Sequence, residues 1–402
     1  MSTTEIAPAE PMFDPKVYVS TAKPKPPLTP EESANMEKPK VLIVGAGIGG
    51  LTLGLLLKRG NIPFEIYERA KEVRPLGSGM LLGSNIVALL QQLGLYEEFQ
   101  AIGKPVVQTN LLDEHLQSYF TIKYPYRAQC AGGDDYILTR PDLYEILFRQ
   151  IPKENIHLGK RILSFEQNKD GVMIRCTDNA THHGDILVGS DGAHSAVRQH
   201  LFHVQKKKKL LPKSDDVPLP FSTVCLVGQT VPLDPEEYPL LKMPHSVFNG
   251  MLGQGSPYSW SVANSIKNTY IFNVVLHLDD KTAKANDAFR NSEWGPEAAE
   301  SMCKDVRHLK VPGGKDGKEW TMGDIIDLTP KELITKVMLE EKLFKTWYGG
   351  RTVLLGDATR YFQFNPAGAA GALTAMHDAV ALANWICALH PKKPADIDLA
   401  FK

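Results

Sequence analysis

Four apolar residues, Val41-Leu42-Ile43-Val44, run directly into Gly45-Ala46-Gly47-Ile48-Gly49-Gly50, and no other stretch constrains the fold so tightly. The helix-compatible run Leu51 to Leu57 follows, Arg59-Gly60-Asn61 stops it, and Pro63–Tyr67 reads as a second strand ending in Glu68. This is G-x-G-x-x-G in the strand–turn–helix–strand context that the pattern requires. Gly45 permits the tight turn, Gly47 leaves space for a pyrophosphate beside the backbone, and Gly50 lets helix and strand pack closely. An anion then sits at the helix N-terminus, where free N–H groups and the dipole favour it. Glu68 stands where an acid accepts hydrogen bonds from an adenosine ribose. The pattern alone does not separate FAD from NAD. The apolar stretch Val41 to Leu57 is too short for the roughly 20 residues of a membrane span.

Composition narrows the setting. The 402 residues, 43% of them hydrophobic, suffice for a large core or two domains. A net charge of −1 gives no global case for nucleic acid or an anionic membrane. Five scattered cysteines, Cys130, Cys176, Cys225, Cys303 and Cys387, suit reduced thiols and no structural zinc. With no signal-peptide layout at the start, an intracellular, cytoplasmic protein is expected. Residues 1–38 are Pro-, Lys- and Glu-rich and read as a disordered tail. Lys206–Lys209 reads as a solvated loop and His182–His183 as a hairpin turn. No histidine spacing points to a metal.

Along the chain, Asn85–Leu95 has helical periodicity, Tyr136–Thr139 reads as a strand, and Arg140-Pro141-Asp142 begins a helix running to about residue 150. Ile156 to Asp191 reads as strands with a turn at Asp178–Asn179. From 210 to 279 the texture is β-rich: Phe221–Val231, Ser246–Leu252, Tyr258–Asn264 and Thr269–Asp279 are expected strands. In the last, Tyr270, Phe272, Val274, Leu276 and Leu278 alternate, which predicts one buried face. Helices are expected near Pro296–Leu309 and Pro330–Leu343.

Two further motifs follow apolar strands. Gly189-Ser190-Asp191-Gly192 precedes Ser195 and Arg198 at a helix start, and Gly356-Asp357 ends Thr352-Val353-Leu354-Leu355. Asn365-Pro366-Ala367-Gly368-Ala369-Ala370-Gly371 then opens a helix whose stripe is Ala372, Ala375, Met376, Ala379, Val380, Ala383, Ile386 and Cys387. The N-terminus of that helix favours negative charge on a group bound beside it. With the motifs in this order, the chain over roughly 39–390 resembles the class A FAD-dependent monooxygenases, the aromatic-hydroxylase-like flavoproteins, especially fungal members.

The resemblance implies an α/β fold, a Rossmann-like FAD-binding domain interrupted by a β-rich substrate domain. The FAD-binding part would take 39–113, 140–204 and 345–391; the substrate part 114–139 and 205–344; and 392–402 would be a C-terminal tail. It implies a cofactor-binding set of Gly45, Gly47, Ile48, Gly49, Gly50, Glu68, Arg69, Arg140, Asp191, Gly192, Arg198, Gly356, Asp357, Pro366, Gly368, Ala369, Ala370 and Gly371. It also implies that NADPH or NADH reduces FAD and that a flavin hydroperoxide then hydroxylates or epoxidises an apolar or aromatic small molecule with O2. The cofactor carries this chemistry, so no catalytic side chain is expected. The W-x-W-x-I-P signature of flavin halogenases is missing; Trp260 stands in YSWSV without a partner. The family usually has His or a similar residue where Arg360 stands, Gly where Ala369 stands and Asn where Thr374 stands. Those departures frame the alternative, a flavin-binding scaffold or sensor without turnover.

Overall fold

The computed structural model describes residues 37–402 apart from 73–78, 125–128, 131, 218–220, 279–295, 316–318, 341 and 362–369. The expected disordered tail lies almost wholly outside these residues.

β1 (Val41–Val44), with all four residues buried, leads through the glycine turn into α1 (Ile48–Arg59) and returns as β2 (Phe64–Tyr67). Leu51, Leu53 and Leu57 of α1 are fully buried, each contributing about 1.5–3 kcal/mol. Further along are α2 (Arg140–Phe148), β3 (Ile186–Gly189), α3 (Ala196–Lys207), β4 (Thr352–Leu354) and α4 (Ala370–Leu389). β1 pairs in parallel with β2 on one side and β3 on the other, and β3 pairs in parallel with β4. The glycine turn, the Asp191 turn and the Asp357 turn therefore emerge at the same carboxyl edge of one sheet, where doubly wound folds bind ligands. Ala375, Met376, Ala379, Ala383 and Ile386 of the expected α4 stripe are buried in the core that α1 enters.

The second large element is a nine-stranded sheet. The four β-rich strands lie within it as Phe221–Gln229, Ser246–Leu252, Tyr258–Asn264 and Tyr270–His277. Gly79–Leu82 and Lys104–Asp113, placed by sequence with the FAD-binding part, hydrogen-bond into this sheet instead. Only tertiary pairing reveals this, because short alternating strands carry no label for the sheet they join. Tyr270, Phe272 and Val274 are buried as expected, against Ala299, Met302 and Ile325. The opposite face is buried too, through Ile271, Asn273 and Val275. The sheet curls far enough that a Cβ on Gly79 would lie 2.4 Å from Ile271 Cδ1.

Four local expectations are corrected. Residues 392–402 are not a tail: Pro394–Phe401 is a helix whose Ile397 is fully buried in the core that α4 enters. Pro330–Leu343 is not helical: Lys331–Leu333 is a short 3-10 turn and Thr335–Glu340 is a strand on the edge of Phe221–Gln229. Its helix-compatible residues yield to ladder pairing, because the Thr335, Val337, Leu339 alternation fits a pleated surface. His182 and His183 lie in the strand Thr181–Gly184, paired with Ile174 and Met173; the turn precedes them, with Asn179 at φ +65°. Lys206 and Lys207 form the last turn of α3 rather than a loop, where cations complement the helix dipole.

Arg351 locks β4 to its surroundings. It is buried, and its guanidinium donates to the carbonyls of Asn168 (2.8 Å), Asp185 (3.0 Å), Lys392 (3.0 Å) and Lys169. Arg351→Ala orphans these acceptors and is expected to cost about 3 kcal/mol, read as a lower apoprotein Tm in a thermal melt.

Candidate flavin site

At the first turn, Gly45 has φ +105°, and a Cβ there would lie 2.5 Å from Ser190 O. A Cβ on Gly50 would lie 2.1 Å from Gly45 O, so helix and turn touch backbone to backbone. Gly47 differs: nothing lies within 4 Å of its Cβ position. As the N-cap it also offers no side-chain acceptor, leaving the first amides of α1 available to an anion. Ile48 is buried in the core and can contribute only backbone. Gly49 packs against Leu355 and Ala375, joining α1 to β4 and α4.

Glu68 braces this turn from β2: its carboxylate accepts from the Ala46 and Ala70 amides, both at 2.9 Å. Lone pairs remain for a ribose hydroxyl. The backbone of 68–70 also pairs with 157–160, and this carries Lys160 and Arg161 to the same place. Gly45, Gly47, Glu68, Arg69, Arg140, Asp191 and Gly192 line one cleft of about 280 Å³ together with Lys160, Arg161 and His194. Lys160 and Arg161 escaped the sequence reading. The signal was a basic pair after an isoleucine strand, and only the strand pairing gives it meaning.

Asp191 lines the cleft, but its carboxylate turns to its own helix. It accepts from Ser195 Oγ (2.5 Å) and the Ala196 amide (2.7 Å), while Ser195 Oγ accepts from the Arg198 amide (2.9 Å). Burial pushes the Asp191 carboxyl upward against those hydrogen bonds. Arg198, expected to bind the cofactor, is instead a buried brace. Its guanidinium donates to Ala193 O and to Ala358 O (3.2 Å) and stacks 4.3 Å from the Phe344 ring centroid. It was misread because a helix-start arginine beside an acidic turn looks the same in sequence whether it faces the cleft or the interior.

At the other end, Gly356 at φ +61° opens the 3-10 turn Gly356–Ala358, which presents Asp357. A Cβ on Gly371, in the first turn of α4, would lie 3.6 Å from Asp357 Oδ1, so the carboxylate faces that helix start. Burial pushes the Asp357 carboxyl upward from its ordinary value; the charges of Arg140 and Arg360 oppose this, and Asp378 adds to it. Arg140, which also lines the cleft, thus acts on both ends. It is positioned by α2, whose N-cap Thr139 accepts from the Asp142 amide at 3.3 Å. Pro366, Gly368 and Ala369 lie outside the described residues; Ala370 begins α4.

The residues fit FAD. An uncapped helix start with open space at Gly47, a basic cleft, an acid at each strand end and a second helix start at Asp357 match a long dinucleotide with an anionic middle.

Comparison with known proteins agrees. A family model described as an FAD binding domain matches residues 38–222. The FAD-dependent monooxygenase paxM of Penicillium paxilli is 29% identical over 366 residues, 87% of this chain and 70% of the relative. The Aurachin C monooxygenase/isomerase of Stigmatella aurantiaca is 28% identical over 358 residues, 88% of this chain and 82% of the relative. Klebsiella pneumoniae HpxO, solved with FAD and uric acid, superposes with a TM-score of 0.70 at 20% identity, over 90% of this chain and 83% of that one. The sequence motifs and the shared sheet edge that gathers them thus coincide with a matched FAD binding domain, and the chain is similar along most of its length to FAD-dependent monooxygenases.

Proposed function

We propose that the protein uses NADPH or NADH, O2 and FAD to hydroxylate or epoxidise an apolar or aromatic small molecule. The observation that carries the reading is Arg140, which lines the adenosine-side cleft while its charge bears on Asp357 at the other strand end. Bound FAD would supply the redox chemistry and oxygen activation. This chain's residues would hold it: the α1 amides and Arg69 at the pyrophosphate, Glu68 at the ribose, Asp357 at the flavin end. The N-terminus of α4 favours negative charge beside Asp357. For the substrate, the inner face of the curled sheet, buried as it stands, carries Phe248, Ala263 and Ile271, with the hydrogen-bonded pair Ser261 and Asn273 as polar points. Such a surface suits an apolar body with one or two polar groups. An intracellular, cytoplasmic setting fits the five unpaired cysteines.

The sequence departures that suggested a non-catalytic protein find structural accommodation at Arg360, which is ion-paired with Asp378. The test is an anaerobic titration of FAD-loaded protein with NADPH and then NADH, with and without a panel of apolar and aromatic compounds. Bleaching of the flavin band and its return on admitting air are expected. A flavin that stays oxidised under both donors with every compound would favour the scaffold.

A further inference from the structure

Asp378 sits in α4, about two turns from the helix start, and both of its oxygens reach back to the Asp357 turn. Oδ2 accepts from the Gly356 amide at 3.0 Å, immediately before Asp357. Oδ1 pairs with Arg360 Nη2 at 2.5 Å, just after the turn. Arg360 is only 9% exposed, and its guanidinium lies 5.3 Å from the Trp347 ring centroid. One carboxylate thus grips the turn on both sides of Asp357, and it does so from the helix whose own N-terminus faces the Asp357 carboxylate. Helix and turn also meet in small-residue contact, with a Cβ on Gly356 only 3.0 Å from Ala375 Cβ. Such contact sets spacing but not rotation of the turn. Charge-assisted hydrogen bonds are directional and fix it.

We propose that Asp378 is a positioning residue for flavin binding: through the Gly356 amide and the Arg360 guanidinium it holds Asp357 and the α4 N-terminus as one rigid unit facing the flavin. The inference rests on the FAD-binding reading. Among the described residues, Arg360 pairs with Asp378 from α4, and its charge and that of Arg140 from α2 both act on Asp357 in the turn. An arginine keeps its charge at any working pH. A histidine in its place would titrate, and the latch would open as it did so.

The experiment measures FAD affinity of full-length apoprotein by flavin fluorescence for wild type, Asp378→Asn, Arg360→Lys and Arg360→His across a pH series, with apoprotein Tm in parallel. Asp378→Asn is expected to weaken FAD about tenfold. Arg360→Lys keeps the charge but loses the planar stack on Trp347, and is expected to weaken FAD less than Asp378→Asn does. The affinity ratio of Arg360→His to wild type is expected to be near one at the acid end. It should fall about tenfold as pH rises through the titration of the imidazole, whose loss of charge removes the pair with Asp378. A ratio constant with pH overturns the proposal. So does a pH-dependent Tm accompanied by wild-type affinity, which would make the pair a brace of the fold alone. If Asp378→Asn does not fold, the histidine series still decides, since its acid limb is its own folding control. Failure of wild type to bind FAD at any pH would strike the FAD reading itself, a different result from wild-type binding with a flat ratio.

Discussion

Gly47→Val is expected to abolish FAD retention while leaving the apoprotein as stable as wild type. Gly47 has φ −74° and ψ 178°, extended backbone that valine adopts without strain, and its Cβ would meet nothing within 4 Å. The added side chain therefore costs the fold almost nothing. It occupies the space beside the first amides of α1, where the pyrophosphate must approach backbone to form its hydrogen bonds. Losing two or three charge-assisted bonds, at about 1.5–3 kcal/mol each, weakens FAD by at least about a hundredfold. Gly50→Ala makes the contrast, since its methyl would lie 2.1 Å from Gly45 O. It should lower the apoprotein Tm as well as cofactor content. Purification of both variants, with flavin absorbance for occupancy and a melt for stability, separates the cases. A Gly47→Val protein that purifies with a full flavin complement would show that the anion does not sit at this turn.

Asp357→Asn is expected to move affinity and stability in opposite directions. Burial holds the Asp357 carboxyl above its ordinary value. For a carboxyl with a raised folded-state value, the stabilising contribution is present below the unfolded value and lost as pH rises through the folded one. Above the folded-state value, then, the ionised carboxylate is a cost to the apoprotein, one that Arg140 and Arg360 only reduce. An amide of the same shape removes that cost, so the apoprotein Tm should hold or rise. FAD loses a charge-assisted hydrogen bond worth about 1.5–3 kcal/mol, about tenfold to a hundredfold in Kd. A titration of apoprotein with FAD and a parallel melt measure both. A lower Tm with unchanged Kd would make Asp357 a structural residue and undo its assignment to the flavin end.

The site was legible where a motif demands a residue type for a local reason. Gly45 needs a positive φ, and Gly50 meets backbone where a side chain would stand; both requirements are written in a ten-residue stretch and hold in any fold that contains it. Asp357 was legible because a strand-end acid before a Gly/Ala-rich helix start is itself a local pattern. Lys160 and Arg161 were not, since they enter the cleft only through pairing of residues 157–160 with 68–70, across ninety positions. Arg198 and Asp378 show the same limit in opposite senses. Arg198 reads as a ligand and is a buried brace; Asp378, for which the sequence reading made no assignment, grips the turn that carries Asp357.

The amino-acid sequence by itself determined the βα turns, their order and the apolar stripe of α4, because turn geometry and helical period are properties of neighbouring residues. Tertiary structure alone decided that 330–343 would be an edge strand rather than a helix, that 79–82 and 104–113 would join the large sheet, and which charges would face the cleft. Those outcomes depend on partners far along the chain, and the free energy of pairing and burial with them exceeds the small intrinsic preferences that a local reading can weigh.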